Sequence, residues 1–169
     1  MPDLGTLLAS FRTSAFRLET RDLYQVEQER QWFEGFCRGE PLPELTPEND
    51  SWLRLVADKT AAGAGMTRVH IVRRPPSQYV QFELALQVSS VAAGEQIHIV
   101  ERGTHPELDR ADTDFWLFDD QVVVVVHYDD QGRFIGTEQT REVAPYCALR
   151  DLALTLGEPL RDYQTTARR

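Results

Sequence analysis

The chain has 169 residues, 41% apolar and 27% charged, the balance of a folded chain that can build one sizeable core. Eighteen basic against 27 acidic residues leave a net charge of −9, which argues against direct nucleic-acid binding and against an anionic membrane surface, because both need a cationic footprint. The longest apolar run is five valines, far short of a membrane span, and MPDLGTLLASFR lacks the basic and apolar regions of a secretory signal.

Two cysteines, Cys37 and Cys147, stand far apart with no CxxC pair, so reduced thiols in a cytoplasmic protein are expected, with Cys37 packed behind Trp32 and Phe33.

In chain order, Leu4, Leu7, Leu8 and Phe11 repeat at helical spacing behind Asp3, a suitable N-cap. Ala15 to Glu19 alternates apolar and charged residues, as a half-buried strand does, and Leu23 to Val26 is a candidate extension or pairing partner. A helix is predicted from Glu27 to Arg38, with Trp32, Phe33 and Phe36 on one side and Gly39 at its end. The proline-punctuated residues 41–47 form a connection, followed by a helix over Glu48–Ala61 that presents Trp52, Leu53 and Val56. Thr67–Arg73 reads as a strand. Ser77 then caps a predicted helix, Gln78–Ala92, although YVQFELALQV also alternates well enough for a strand. Gln96–Glu101 is a strand and Arg102–Asp112 a polar loop.

The stretch Asp114–Thr140 predicts three strands joined by turns at Asp119-Asp120 and at Asp129–Gly132. Valines 122–126 cannot leave one face in water, so their strand is expected at the centre of the sheet with both faces covered. A closing helix, Val143–Leu156, carries Tyr146, Leu149, Leu152, Ala153 and Leu156 as its apolar stripe. The order predicts an α/β or α+β fold: a mixed sheet with a central Val-rich strand, a βαβ unit from Val69 to Val100 and flanking helices. Residues 1–40 are expected as an N-terminal αβα segment packing on a main domain at 48–157, with 158–169 a flexible tail.

Four blocks of the sequence have a further meaning: AFRLETRDLYQVEQERQWFEGFCRGEP, RVHIVRRPPSQYVQFEL, VAAGEQIHIV and DFWLFDDQVVVVVHYDDQGRFIG. In this order they resemble a family of uncharacterised actinobacterial domains, over roughly Phe11 to Leu156. The resemblance implies small cytoplasmic proteins often encoded beside helix-turn-helix regulators, which points to a regulatory or partner role.

A weaker, architectural resemblance is to half of a phospholipase D-type domain, whose HxKxxxxD motif supplies a nucleophilic histidine and a phosphate-binding lysine. Counted back from Asp119 or Asp120, the histidine falls at Asp112 or Thr113 and the lysine at Asp114 or Phe115. Neither residue type is present, so that chemistry is absent even if the fold is shared.

No other catalytic motif stands out. His70, His98, His105 and His127 have no HxH, HxxxH or HExxH spacing, and no metal or cofactor is expected. The acidic pairs 119–120 and 129–130 read as turn residues. One set of side chains suits a binding cleft: Arg17 and Glu19 on one strand face, Tyr79 and Glu83 one helical turn apart, with Tyr24 and Arg73 beside them. Arg would hold an anionic group there, and Tyr and Glu a polar one.

Two functions follow as expectations. The first is a non-catalytic cytoplasmic partner acting through protein contacts, with a helix-turn-helix regulator or a second copy of itself. The second is a small-molecule-binding protein or enzyme using the Arg/Tyr/Glu cleft.

Overall fold

The computed structural model describes residues 2–167. It is an α+β fold built on one seven-stranded mixed sheet. The strands are β1 (Ser14–Glu19), β2 (Gly65–Val72), β3 (Gln96–Glu101), β4 (Asp114–Phe118), β5 (Val122–Tyr128), β6 (Phe134–Thr140) and β7 (Glu158–Pro159). Their order is β6-β5-β4-β1-β2-β3-β7. β1, β2 and β3 run parallel, and every other pairing is antiparallel.

The helices are α1 (Leu4–Ser10), α2 (Arg30–Cys37, entered by a 3-10 turn at Glu27–Glu29), α3 (Ser51–Ala61), α4 (Gln78–Leu86), α5 (Val88–Ala93), α6 (Pro106–Asp109), α7 (Ala144–Leu156) and α8 (Leu160–Ala167). Among the described residues no helix is long and apolar enough to cross a membrane.

The period-2 alternation of the strands separates two faces. On one, Phe16, Leu18, Val69, Ile71, Phe115, Leu117, Val123 and Val125 pack with Tyr146, Leu149, Leu152 and Ala153 of α7 into a dry apolar layer. On the other, Val124, Val126, Trp116 and Phe118 pack under α1 and α3. Further along that second face, Phe33 and Phe36 of α2 meet Tyr79 and Phe82 of α4. The second face also carries Arg17, Glu19, Arg68, His70 and Asp114.

Several expectations change. The valine strand is covered on both faces but is not central: β5 is next to the outermost strand, β6, and the middle of the sheet is β1. β1 belongs to residues 1–40, the segment expected to pack on the main domain, and it pairs with β2 and β4. Its alternating charges suggested an exposed face, yet Arg17 and Glu19 are buried and matched by polar neighbours on β2 and β4. Leu23 to Val26 pairs with no strand; Gln25 N–H instead donates to the Gly132 carbonyl of the β5–β6 turn (2.9 Å). A Cβ on Gly132 would lie 2.6 Å from the Leu23 carbonyl oxygen, and its φ of +80° excludes most L-residues as well.

The helix expected over 78–92 is two helices divided at Gln87, and the loop after β3 contains α6. Residues 158–167, expected as a flexible tail, form β7 and α8. Leu160 and Tyr163, three apart, fill a cluster with Val80, Leu84, Ile97 and Ile99. Cys37 is exposed rather than packed behind Trp32 and Phe33.

The β4–β5 turn is pinned from outside. Asp119 and Asp120 have φ of 52° and 55°, and the Asp119 carboxylate accepts from the backbone N–H groups of Arg12 (3.0 Å), Thr13 (2.7 Å) and Ser14 (2.9 Å). Partial burial opposes ionisation, but these donors outweigh it and hold the carboxyl below its usual range. Asp119→Ala removes the anchor and leaves a Cβ residue without a local hydrogen bond in a left-handed conformation. The expected loss is about 2 kcal/mol, read from the urea midpoint at unchanged m-value.

Candidate functional site

Arg17 and Glu19 on β1 lie beside Arg68 and His70 on β2, in the parallel register Arg17↔Arg68 and Glu19↔His70. Arg17 reaches across to β4, where its Nη2 donates to Asp114 Oδ2 (3.0 Å); Nη2 also contacts the Tyr128 hydroxyl (3.1 Å). Asp114 accepts as well from the Tyr24 hydroxyl (2.6 Å) and from both the N–H (2.9 Å) and hydroxyl (2.8 Å) of Thr20. Arg68 lies between Glu95 Oε1 (2.9 Å) and Glu19 Oε1 (3.3 Å). His70 Nε2 faces the Arg21 carbonyl at 2.8 Å. A carbonyl only accepts, so Nε2 carries a proton. The other ring nitrogen, Nδ1, then looks toward Glu19 Oε2 (3.8 Å) and Glu83 Oε2 (3.7 Å).

Burial alone would suppress the charge on each of these groups, and their neighbours decide the outcome. For Arg17, Asp114 and Glu19 outweigh desolvation; for Arg68, Glu95 and Glu19 do the same, so both guanidiniums stay charged. Glu19 is buried too, yet Arg68, His70 and Arg17 hold its carboxyl below the usual range. Glu83 goes the other way. Desolvation and the charge of Glu19 push it well above its usual range despite Arg68 and Arg17.

This polar floor opens into a cleft of about 530 Å³. All three tryptophans of the chain line it: Trp32 of α2, Trp52 of α3 and Trp116 of β4. Tyr128 and Phe134 complete the aromatic wall. Trp52 and Trp116 meet edge to face at 5.9 Å, with the Arg68 guanidinium 5.7 Å from the Trp52 ring and that of Arg17 5.5 Å from Trp116. Among the side chains lining the cleft, Arg17 Nη1, Glu19 Oε2, Glu83 Oε2 and Gln87 Oε1 are buried without a hydrogen-bond partner among the described residues. No group of three His, Cys, Asp or Glu side chains among those residues is placed to hold a metal ion.

A family described as "Domain of unknown function (DUF6879)" matches residues 2–165. The chain belongs to it. The match spans every strand of the sheet, so the cleft lies wholly inside the DUF6879 domain. No curated protein matches the sequence.

The structure divides the six residues singled out from this DUF6879 sequence. Arg17, Glu19 and Glu83 line the cleft. Tyr24 lies beneath it, bonded to Asp114 and edge-on to Tyr128 at 5.1 Å. Tyr79 leaves Glu83 despite the helical spacing: its hydroxyl approaches Glu29 at 3.4 Å, and it lines a neighbouring hollow of about 500 Å³ with Phe33 and Tyr24. Arg73 points away and pairs with Asp22, its side chain largely exposed.

Arg68, His70, Glu95, Asp114 and the tryptophans were not in the set. Arg68 and His70 were within reach, because two charged positions spaced by two on consecutive parallel strands pair with Arg17 and Glu19 on one face. The Asp114 carboxylate holds Arg17.

Proposed function

We propose that this DUF6879 domain is a small-molecule-binding module whose ligand enters the tryptophan-walled cleft. The observation that carries the reading is the set of buried, unpartnered polar atoms on Arg17, Glu19, Glu83 and Gln87 around one cavity. Each such atom costs on the order of 1–3 kcal/mol when nothing meets it, and native folds retain few of them. Several around a single aromatic cleft are the mark of groups held ready for a guest. The volume suits one, since ligand sites run from roughly 300 to 1,000 Å³. Three of the six residues expected at such a site, Tyr24, Tyr79 and Arg73, do not line the cleft and play no part in the proposal.

A ligand that binds only the folded state raises the melting temperature, by about 2.7 kcal/mol of stability at a hundredfold excess over Kd. A thermal-shift screen over small aromatic and heterocyclic metabolites of every charge type, repeated by tryptophan fluorescence, is expected to return binders that Trp116→Ala weakens. Silence in both readouts across the library overturns the reading.

The second reading is contact with another protein, such as a helix-turn-helix regulator in a cytoplasmic actinobacterial setting or a second copy of the chain. It is favoured by Phe134 and Ile135, which are 59% and 64% exposed on the outermost strand β6. Phe134 also borders the cleft, so a bound ligand would touch the strand a partner would meet. Co-purification with the neighbouring regulator tests it, and no association at micromolar concentration counts against it.

A further inference from the structure

The cleft's polar atoms also carry information about what they await. Two of the unpartnered buried atoms that line it, Glu19 Oε2 and Gln87 Oε1, can only accept a hydrogen bond, and Glu83 Oε2 joins them once its carboxyl ionises; one, Arg17 Nη1, donates. The charges are unequal in the same sense. Arg17 is matched by Asp114 and Glu19, and Arg68 by Glu95 and Glu19, so three carboxylates already face two guanidiniums. Glu83 and Glu29 line the cleft in addition, and burial raises the pKa of both, so each adds its negative charge only on ionising. Glu19 and Gln87 are each more than nine-tenths buried, so water meets their unpartnered oxygens poorly. Above this acceptor-rich floor stand indole and phenol rings, whose faces attract cations.

Resting on the ligand-binding reading above, we propose that the guest is an organic cation: a protonated amine on a flat apolar body, with the ammonium at Glu83, Glu19 and Gln87 and the body against Trp32, Trp52 and Trp116. The ammonium supplies N–H donors to acceptors that lack them and the positive charge the cleft lacks. An anion would meet the charge of Glu19, and once Glu83 ionises it would meet a second carboxylate and have Arg17 Nη1 as its one unpartnered donor. The groups facing Glu83 are Arg17 and Glu19 from β1, Arg68 and His70 from β2, Tyr24 from the segment after β1, Glu29 from the turn before α2, and Tyr79 on α4 itself. A bound ammonium adds to the two arginines in favouring ionised Glu83, so cation affinity rises with pH while that of a neutral analogue does not.

The test uses three probes with one aryl body: 2-phenylethylammonium chloride, 2-phenylethanol and 3-phenylpropionate, titrated by tryptophan fluorescence and melting temperature at about pH 5.5 and about pH 8. The expected order places the ammonium at least about tenfold tighter than either other probe at the higher pH, with Glu83→Gln removing most of that advantage and sparing phenylethanol. Equal or tighter binding of the alcohol or the propionate overturns the cation assignment and leaves the cleft as a ligand site. Ammonium affinity untouched by Glu83→Gln also overturns it, because the cation is then held by the acidic surface. No response to any probe overturns the cation assignment, while the ligand-binding reading stands or falls with the library screen. The probe series on the unaltered chain decides the matter even if the variant fails to fold.

Discussion

Asp114→Ala is expected to be the most damaging single substitution in the polar floor, lowering stability by roughly 3–5 kcal/mol. Asp114 sits at the first position of β4 with its side chain fully buried, and it accepts four hydrogen bonds, from Arg17, Tyr24 and twice from Thr20. Truncation leaves a buried guanidinium with Glu19 at 3.6 Å as its remaining carboxylate, together with a buried phenol and a backbone N–H that have lost their acceptor. For a chain of this length the corresponding fall in Tm is on the order of 10 °C. Exposed Asp130 provides the control; its truncation should change stability by less than about 0.5 kcal/mol. Because much of the cost is buried Arg17 losing its nearest carboxylate, adding Arg17→Met should restore part of it, with a coupling of about 2 kcal/mol in the double-mutant cycle. A loss under about 1 kcal/mol for Asp114→Ala would show that water reaches this floor and that its burial is not energetically real.

The strand assignments rest on local signals and were legible for that reason. Five β-branched residues bounded by Asp-rich turns specify β5 and its hairpins with little outside help, and Ser77 before an apolar repeat specifies the start of α4. What failed was the meaning of alternation on β1. Phe-Arg-Leu-Glu reads as one apolar and one solvated face, because single-strand periodicity cannot distinguish water from a buried partner of opposite charge. Only the pairing of β1 with both β2 and β4 supplies Arg68 and Asp114 to satisfy it. The cleft was hidden for the same reason: its tryptophans come from α2, α3 and β4, spread over more than eighty positions, and each reads as core when taken alone. The i, i+4 link between Tyr79 and Glu83 misled because α4 presents them to different neighbours, Tyr79 to Phe33 and Glu83 to His70.

Glu83→Gln is expected to stabilise the chain, and more so as the pH rises. The folded state holds the Glu83 proton to a pH well above 4.5, where an unfolded glutamate has already lost it. Between those two points the native chain binds the extra proton, so its stability falls as pH rises, by about 1.4 kcal/mol for each pH unit, until Glu83 ionises in place. Glutamine has the shape of the protonated carboxyl and no proton to lose. The difference in unfolding free energy between variant and parent should therefore be small near pH 4, grow at about that slope above about pH 4.5, and level off past the folded pKa of Glu83. Other shifted groups act against this trend in the stability curve of either protein taken by itself. Glu19, held low, costs stability only as pH falls through its depressed pKa, and His98, lowered by burial, adds stability as pH rises toward 6.5. Both remain in the variant, so they largely cancel in the difference. Urea titrations of the two proteins at each pH unit from about 4 to about 8 supply the curve. A difference that stays flat would mean that Glu83 ionises normally, and that the cleft floor is wetter than its unpartnered oxygens imply.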